Sequence, residues 1–121
     1  MTILAFDHVQ LAMPKGGEDL ARGFYVGVLG MTELAKPPAL AARGGAWFTN
    51  GVIQLHLGVD PVFRPARKAH PALVVKGLAA YVARARAQNC RIADDEPLPG
   101  YHRAFIDDPF GNRIELMEMA D

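Results

Sequence analysis

Four histidines, His8, His56, His70 and His102, stand in a chain of 121 residues whose one cysteine is Cys90. A lone cysteine excludes an intrachain disulfide and a cysteine-rich zinc site, and Cys90 reads as a small core residue near a helix end. Any bound metal would therefore be held by imidazole, carboxylate, amide or water. His8 and His70 lie 62 residues apart, and Gln54 and Glu115 lie 61 apart, each interval close to half the chain. His8 precedes Gln54 by 46 positions and His70 precedes Glu115 by 45, so two half-chains carry a histidine and an oxygen-bearing residue at nearly equal separation. That is the mark of an internal duplication. If the halves face one another, His8, Gln54, His70 and Glu115 converge as a nitrogen and oxygen donor set. Such a set suits iron(II), manganese, zinc, nickel or cobalt, whereas calcium wants more oxygens.

Each residue alone has a plainer explanation. A histidine beside Pro71 is commonly a surface residue, and a glutamate alternating with apolar neighbours is commonly a solvated strand position. Equivalent placement in two repeats outweighs those single readings. His56 shares the face of Gln54 two residues along and has three readings: a ligand in place of Gln54, a neighbour of the ligands or acid–base catalyst, or a hydrated histidine.

The elements that must position these residues follow from periodicity. Val9, Leu11 and Met13 alternate with His8 and Gln10, which predicts a strand from Phe6 to Met13, ended by Pro14 and Gly16-Gly17. Leu20, Phe24 and Val28 then recur every four residues, predicting an amphipathic helix over 18–29 closed by Gly30. Strands are expected at 31–35, 46–49 and 52–57, with a Pro/Ala-rich loop over 36–45 and Asn50-Gly51 as a type I′ hairpin turn. Ile53, Leu55 and Leu57 share one face of the last strand, Gln54 and His56 the other. A linker over 59–68 holds Arg64, Arg67 and Lys68, a run read as soluble surface or as guards of a cleft entrance. The same order then returns: a strand over 69–75, a helix over 78–89 with Leu78, Val82 and Ala85 inward and Asn89 as a left-handed cap, a short strand at 91–93, a loop over 94–100, and strands at 101–107 and 113–119 around the turn Asp108-Pro109-Phe110-Gly111-Asn112. The chain is thus one α+β domain of two tandem βαβββ modules, about 3–58 and 69–119, with helices on one sheet face. The other face carries His8, Gln10, Gln54, His56, His70 and Glu115 and forms a polar cleft.

Composition narrows the partners. Lysine and arginine number 13, as do aspartate and glutamate, so the formal charge is zero and no general attraction to nucleic acid or anionic membrane is expected. Half the residues are hydrophobic, enough for a core, yet no apolar run approaches the roughly 20 residues of a spanning helix. With no basic region followed by an apolar one at the start, a cytoplasmic location is expected.

The segments Phe6-Asp7-His8-Val9, Ala69-His70-Pro71-Ala72-Leu73-Val74-Val75 and Phe105-Ile106-Asp107-Asp108-Pro109-Phe110-Gly111-Asn112-Arg113-Ile114-Glu115-Leu116 resemble the vicinal oxygen chelate superfamily. That group includes glyoxalase I, fosfomycin-resistance thiol transferases, extradiol dioxygenases and bleomycin-resistance proteins. The resemblance covers nearly the whole chain, and its terminal hairpin is the most specific part. It implies paired βαβββ modules forming a cleft around one divalent metal, with His8, His70 and Glu115 at the ligand positions and Gln54 at the fourth. Members that isomerise substrates by moving protons generally place a carboxylate there, and an amide has no basic site in the useful range. The resemblance also sets Phe105 where a hydroxyl-bearing residue would contact a phosphonate, which argues against fosfomycin transfer.

One divalent cation, one carboxylate and neutral imidazoles leave a net charge of +1, suited to a small oxygen-rich anionic substrate chelated to the metal. Arg103, Phe105 and Gln10 are the substrate-binding candidates and His56 the acid–base candidate. For Arg103, a solvated edge position is the competing reading. The leading expectation is a metal-dependent enzyme, glyoxalase-like or dioxygenase-like. The alternative is a non-catalytic small-molecule binding protein of the bleomycin-resistance type. Two-module chains of the family usually pair, so a homodimer is expected, with the cleft formed within one chain or shared between two.

Overall fold

The computed structural model describes residues 1–94 and 96–121. Its elements are β1 (Val9–Met13), α1 (Glu18–Tyr25), β2 (Thr32–Leu34), α2 (Pro38–Ala41), β3 (Ala46–Thr49), β4 (Gln54–Val59), β5 (Ala72–Val74), α3 (Leu78–Ala87), β6 (Ile92–Ala93), β7 (Tyr101–Asp107) and β8 (Arg113–Met119). Two four-stranded sheets result, ordered β1-β4-β3-β2 and β5-β8-β7-β6. The first strand of each half pairs in parallel with the last, and the other pairings are antiparallel. The repeat expected from spacing is therefore a repeat of topology.

Register fixes what shares a face. Gln10 pairs with His56, and Trp47 pairs with His56 from the other side. Ala72 and Phe105 flank Glu115 in the second sheet. Apolar residues of the opposite faces, among them Met13, Phe48, Leu55, Leu57, Ile106, Ile114 and Leu116, join α1 and α3 in one core. Full burial of such a side chain contributes roughly 1.5–3 kcal/mol each, so both modules depend on the layer they share.

Several elements differ from the periodic reading. β1 begins at Val9 rather than Phe6, because its first ladder partner is Leu55 near the start of β4. Phe6 is left exposed. Of the expected stripe Phe24 and Val28 are buried while Leu20 is 61% exposed, its place inside taken by Ala21 and the stripe widened by Tyr25. In α3, Leu78, Tyr81 and Ala85 meet the core, an i, i+3, i+7 stripe that replaces Val82 with Tyr81. Asn89 has φ +57, the expected left-handed cap. The loop over 36–45 contains the one-turn α2, opened by Pro38 at its first position. At the first hairpin only Gly51 has positive φ, so the turn is not type I′. Instead the Asn50 side-chain oxygen accepts from the N–H groups of Val52 and Ile53, an Asx turn. The expected loop over 94–100 includes Asp95, which lies outside the described residues.

A buried polar knot joins the modules. Asp108 Oδ2 accepts from the Tyr25 hydroxyl at 2.8 Å and from Asn112 Nδ2 at 3.0 Å, and its Oδ1 accepts from the N–H groups of Phe110 and Asn112. Asn112 Nδ2 also donates to the Ala12 carbonyl of β1, and Asn112 Oδ1 accepts from Ala66 N–H in the linker. Every polar atom of the Asp-Pro turn's two side chains is thereby satisfied in the interior, as buried groups require. Arg67 of the linker donates to the Gly111 carbonyl and pairs with Asp107, so part of the basic run serves as an anchor.

Candidate functional site

On the first sheet, the face away from the helices carries His8, Gln54 and His56. The His56 ring is sandwiched, with the His8 ring 4.0 Å away on one side and the Trp47 ring 4.3 Å away on the other, both nearly parallel to it. His56 Nε2 donates to Gln54 Oε1 at 3.0 Å, the amide oxygen being able only to accept. Burial lowers the His56 pKa below its ordinary 6.5, and the His8 charge adds to the effect. His8 Nδ1 donates to Asp7 Oδ2 at 2.9 Å, which leaves Nε2 as the lone-pair nitrogen of the neutral ring.

On the second sheet, His70 Nδ1 lies 2.8 Å from the Lys68 carbonyl oxygen and His70 Nε2 lies 2.9 Å from Glu115 Oε1. A carbonyl only accepts, so Nδ1 carries a proton. In the neutral ring Nε2 is then a lone pair facing a carboxylate oxygen. The contact is satisfied only by a second proton on His70 or by a cation between the two atoms. Both donor groups thus fit a metal, with the backbone carbonyl orienting the imidazole as is usual around bound metals.

Glu115 Oε2 also receives Arg103 Nη1 at 3.4 Å, and Arg103 Nη2 donates to the Glu96 carbonyl. Arg103 Nε is buried without a hydrogen-bond partner among the described residues. Such a donor costs roughly 1–3 kcal/mol and marks Arg103 as able to take an acceptor brought by a ligand. Phe105 is buried, its ring edge-on to His70 at 5.5 Å and covered by the Arg113 guanidinium at 3.7 Å. It therefore supports His70 from beneath. His102 sits opposite Glu118 on the other face of β7, away from these groups.

His8, Gln54 and His70 line one groove of about 650 Å3 that runs between β1 and the segment entering β5, with Arg64 at its wall. β1 and β5 are outer strands of their sheets. Within the chain these residues nevertheless fall into two separate groups, His8 and Gln54 about His56, and His70 with Glu115: among the described residues no group of three His, Cys, Asp or Glu side chains is placed to hold a metal ion. No helix among them is long and apolar enough to cross a membrane. Cys90 is free and half-buried against the core, and burial pushes its thiol pKa up.

Spacing does not single out Trp47, Lys36 or Arg43, or the Tyr25–Asp108–Asn112 knot. Trp47 is hidden for a reason of register: a two-residue Asn50-Gly51 turn would set it opposite Gln54, whereas the longer 50–53 connection sets the indole opposite His56. The roles of Asp108 and Asn112 are hidden because a turn sequence does not reveal what its side chains meet across 83 and 100 residues.

In comparisons with known proteins, a crystal structure of a glyoxalase family protein from Bacillus anthracis superposes with a TM-score of 0.92 at 42% identity, covering 99% of this chain and 98% of that one. The fosfomycin resistance protein FosX from Listeria monocytogenes shares the fold at 12% identity, TM-score 0.75, with 99% and 94% covered. TnmS3, an antibiotic binding protein from Streptomyces sp. CB03234, does so at 24% identity, TM-score 0.72, with 98% and 100% covered. No curated protein matches the sequence. The family profile matches residues 6–116, and the chain belongs to the Glyoxalase/Bleomycin resistance protein/Dioxygenase superfamily.

Proposed function

We propose that the protein is a divalent-metal-dependent enzyme of this superfamily acting on a small, oxygen-rich, anionic substrate, with His8, His70 and Glu115 as metal ligands and Gln54 as the fourth. The observation that carries this reading is the His70 Nε2 to Glu115 Oε1 contact, where two lone pairs meet unless a proton or a cation joins them. A divalent ion held by these residues would supply a Lewis acid for an oxygen-rich substrate. Arg103 meets the substrate's negative charge through Nε. Gln54 orients but abstracts no proton, its amide lacking a base in the useful range. His56, with both ring faces covered and Nε2 engaged, holds Gln54 and His8 in place and is a positioning residue. The reaction this favours is one without a second carboxylate base, closer to an oxygenase or an addition than to proton-shuttling isomerisation.

The separation of the half-sites favours completion by a second copy, His8 and Gln54 of one chain meeting His70 and Glu115 of another. Mixing and refolding H8A with E115Q tests this: a shared site restores one intact metal site per mixed dimer, and a site within one chain restores none. Elemental analysis of protein purified without chelator tests the metal itself. Stoichiometric metal lost in H70A and E115Q supports the enzyme, and a chain that takes up no nickel, zinc, manganese or anaerobic iron(II) overturns it. In that event the groove's apolar walls, Val9, Leu11, Val52, Ile53 and Leu73, favour the second reading, a non-catalytic small-molecule binder.

A further inference from the structure

A second, smaller cavity of about 300 Å3 opens on the same face of the first sheet, beside the β2–β3 connection that holds α2. Lys36 and Arg43 line it with Trp47, Gln10 and Gly58. Among the described residues no carboxylate forms its walls. The adjacent acid, Glu18, is turned to the N–H of Gly45. Lys36 Nζ donates to the Gly44 carbonyl and stands 5.9 Å from the Trp47 ring centroid, which leaves two of its three donors for another partner. Arg43 is exposed and makes no ion pair among the described residues.

The floor is shaped by a missing side chain. A Cβ on Gly58 would come within 2.5 Å of Gln10 Nε2, so the glycine lets the Gln10 amide lie flat against β4. What remains is a compartment with one aromatic wall, the apolar side chains of Leu40 and Val59, and two cations with no counter-ion among the described residues. That combination takes an anionic group on a flat apolar body.

We propose that this cavity is a binding subsite for a single-ring aromatic carboxylate or a comparably sized organic phosphate, its anion held by Lys36 and Arg43 and its ring set against Trp47. Trp47 stacks on His56 and His56 on His8, so occupancy is coupled to the histidine face by direct contact. As the second anchor of the enzyme's substrate the subsite rests on the function proposed above. The binding itself does not.

Trp47 is the one tryptophan of the chain, so a single indole N–H resonance reports on the cavity. Metal-free protein is titrated with benzoate, and separately with inorganic phosphate to distinguish a ring-bearing ligand from a bare anion. Saturable movement of the indole resonance by benzoate is expected. R43M and K36M should each weaken it about tenfold or more, the loss of one charge-assisted hydrogen bond. E115Q should leave it unchanged, as should H70A. No saturable shift, an equal response to phosphate alone, or an R43M protein that binds as wild type each overturns the proposal. Arg43 is exposed, so R43M tests the idea without risk to folding. Metal uptake without benzoate binding sinks the subsite alone, and benzoate binding without metal uptake sinks the enzyme reading alone.

Discussion

His70 Nε2 faces Glu115 Oε1 at 2.9 Å while the opposite ring nitrogen is held by the Lys68 carbonyl at 2.8 Å. Two acceptors thus confront each other wherever His70 is neutral and no cation lies between them. Replacing Glu115 by glutamine puts an amide N–H in reach of Nε2 and removes the conflict along with the charge. Chelator should therefore lower the Tm of the wild type and leave E115Q unmoved. With metal at 100 times its Kd, the difference corresponds to about 2.7 kcal/mol, or roughly 4–8 °C per kcal/mol for a domain near this size. Paired thermal melts check it, and an E115Q protein that responds to chelator as wild type does would falsify the assignment of Glu115 as a ligand.

The sandwiched His56 ring makes the first half-site sensitive to acid. Its pKa lies below 6.5 first because burial penalises the imidazolium, then because of the His8 charge and more weakly Lys36, with Asp7 opposing. The folded state accordingly binds fewer protons than the unfolded chain just below pH 6.5. The stability this neutral ring contributes is complete above 6.5 and is lost as pH falls through the lowered value. H56F keeps an aromatic ring in the stack and cannot titrate. Denaturant melts between about pH 7 and 5 should show the wild type losing stability relative to H56F as the solution is acidified. Parallel curves for the two proteins would show that the ring titrates alike in folded and unfolded chains.

How much of this is legible in sequence depends on how local the cause is. β3, β7 and β8 match their periodic segments residue for residue, because alternation there reflects burial of one face along the whole strand. β1 falls short of Phe6 because a strand ends where its partner does, a fact of pairing that one segment does not contain. Hydrophobicity alone places Leu20 inside, yet α1 turns Tyr25 inward because Asp108, 83 residues away, accepts its hydroxyl. The donor residues are visible as types and spacing. Their division into two separate groups is not, since it follows from how β1 and β5 end up as outer strands of separate sheets.

Asp108 is the centre of the buried polar knot. All four of its hydrogen bonds are received, from Tyr25, Phe110 and two donors of Asn112. Asparagine would turn one oxygen into a donor facing another donor, so D108N should cost about 2–3 kcal/mol, the loss of bonds to a charged acceptor plus an unsatisfied buried group. The pH dependence has the opposite sense to that of His56. Burial raises the Asp108 pKa above 3.8 despite the bonds from Asn112 and Tyr25 that oppose it. The folded state therefore holds this proton longer, and its contribution to stability declines as pH rises from 3.8 through the raised value. D108N lacks that slope. Urea melts across the acid range read both effects, and a D108N protein as stable as wild type would show that the knot is dispensable.

Two glycines with similar backbone angles should respond very differently to alanine. Gly51 has φ +91 and nothing within 4 Å of the place a Cβ would take, whereas Gly45 has φ +84 and its Cβ would fall 2.1 Å from the Leu57 carbonyl oxygen. At Gly51 only the left-handed backbone is strained, which costs roughly 1–2 kcal/mol. At Gly45 the same strain is joined by a collision with backbone, which must push the start of β3 away from β4 at the pair Ala46 and Leu57. G45A should thus cost about 3 kcal/mol or more, and G51N, suited to left-handed φ, should be close to neutral. Because Gly45 adjoins Gly44, whose carbonyl takes the Lys36 ammonium, G45A should also weaken benzoate binding while G51A leaves it intact. Melting curves and indole titrations on the same three variants separate the local strain from the collision.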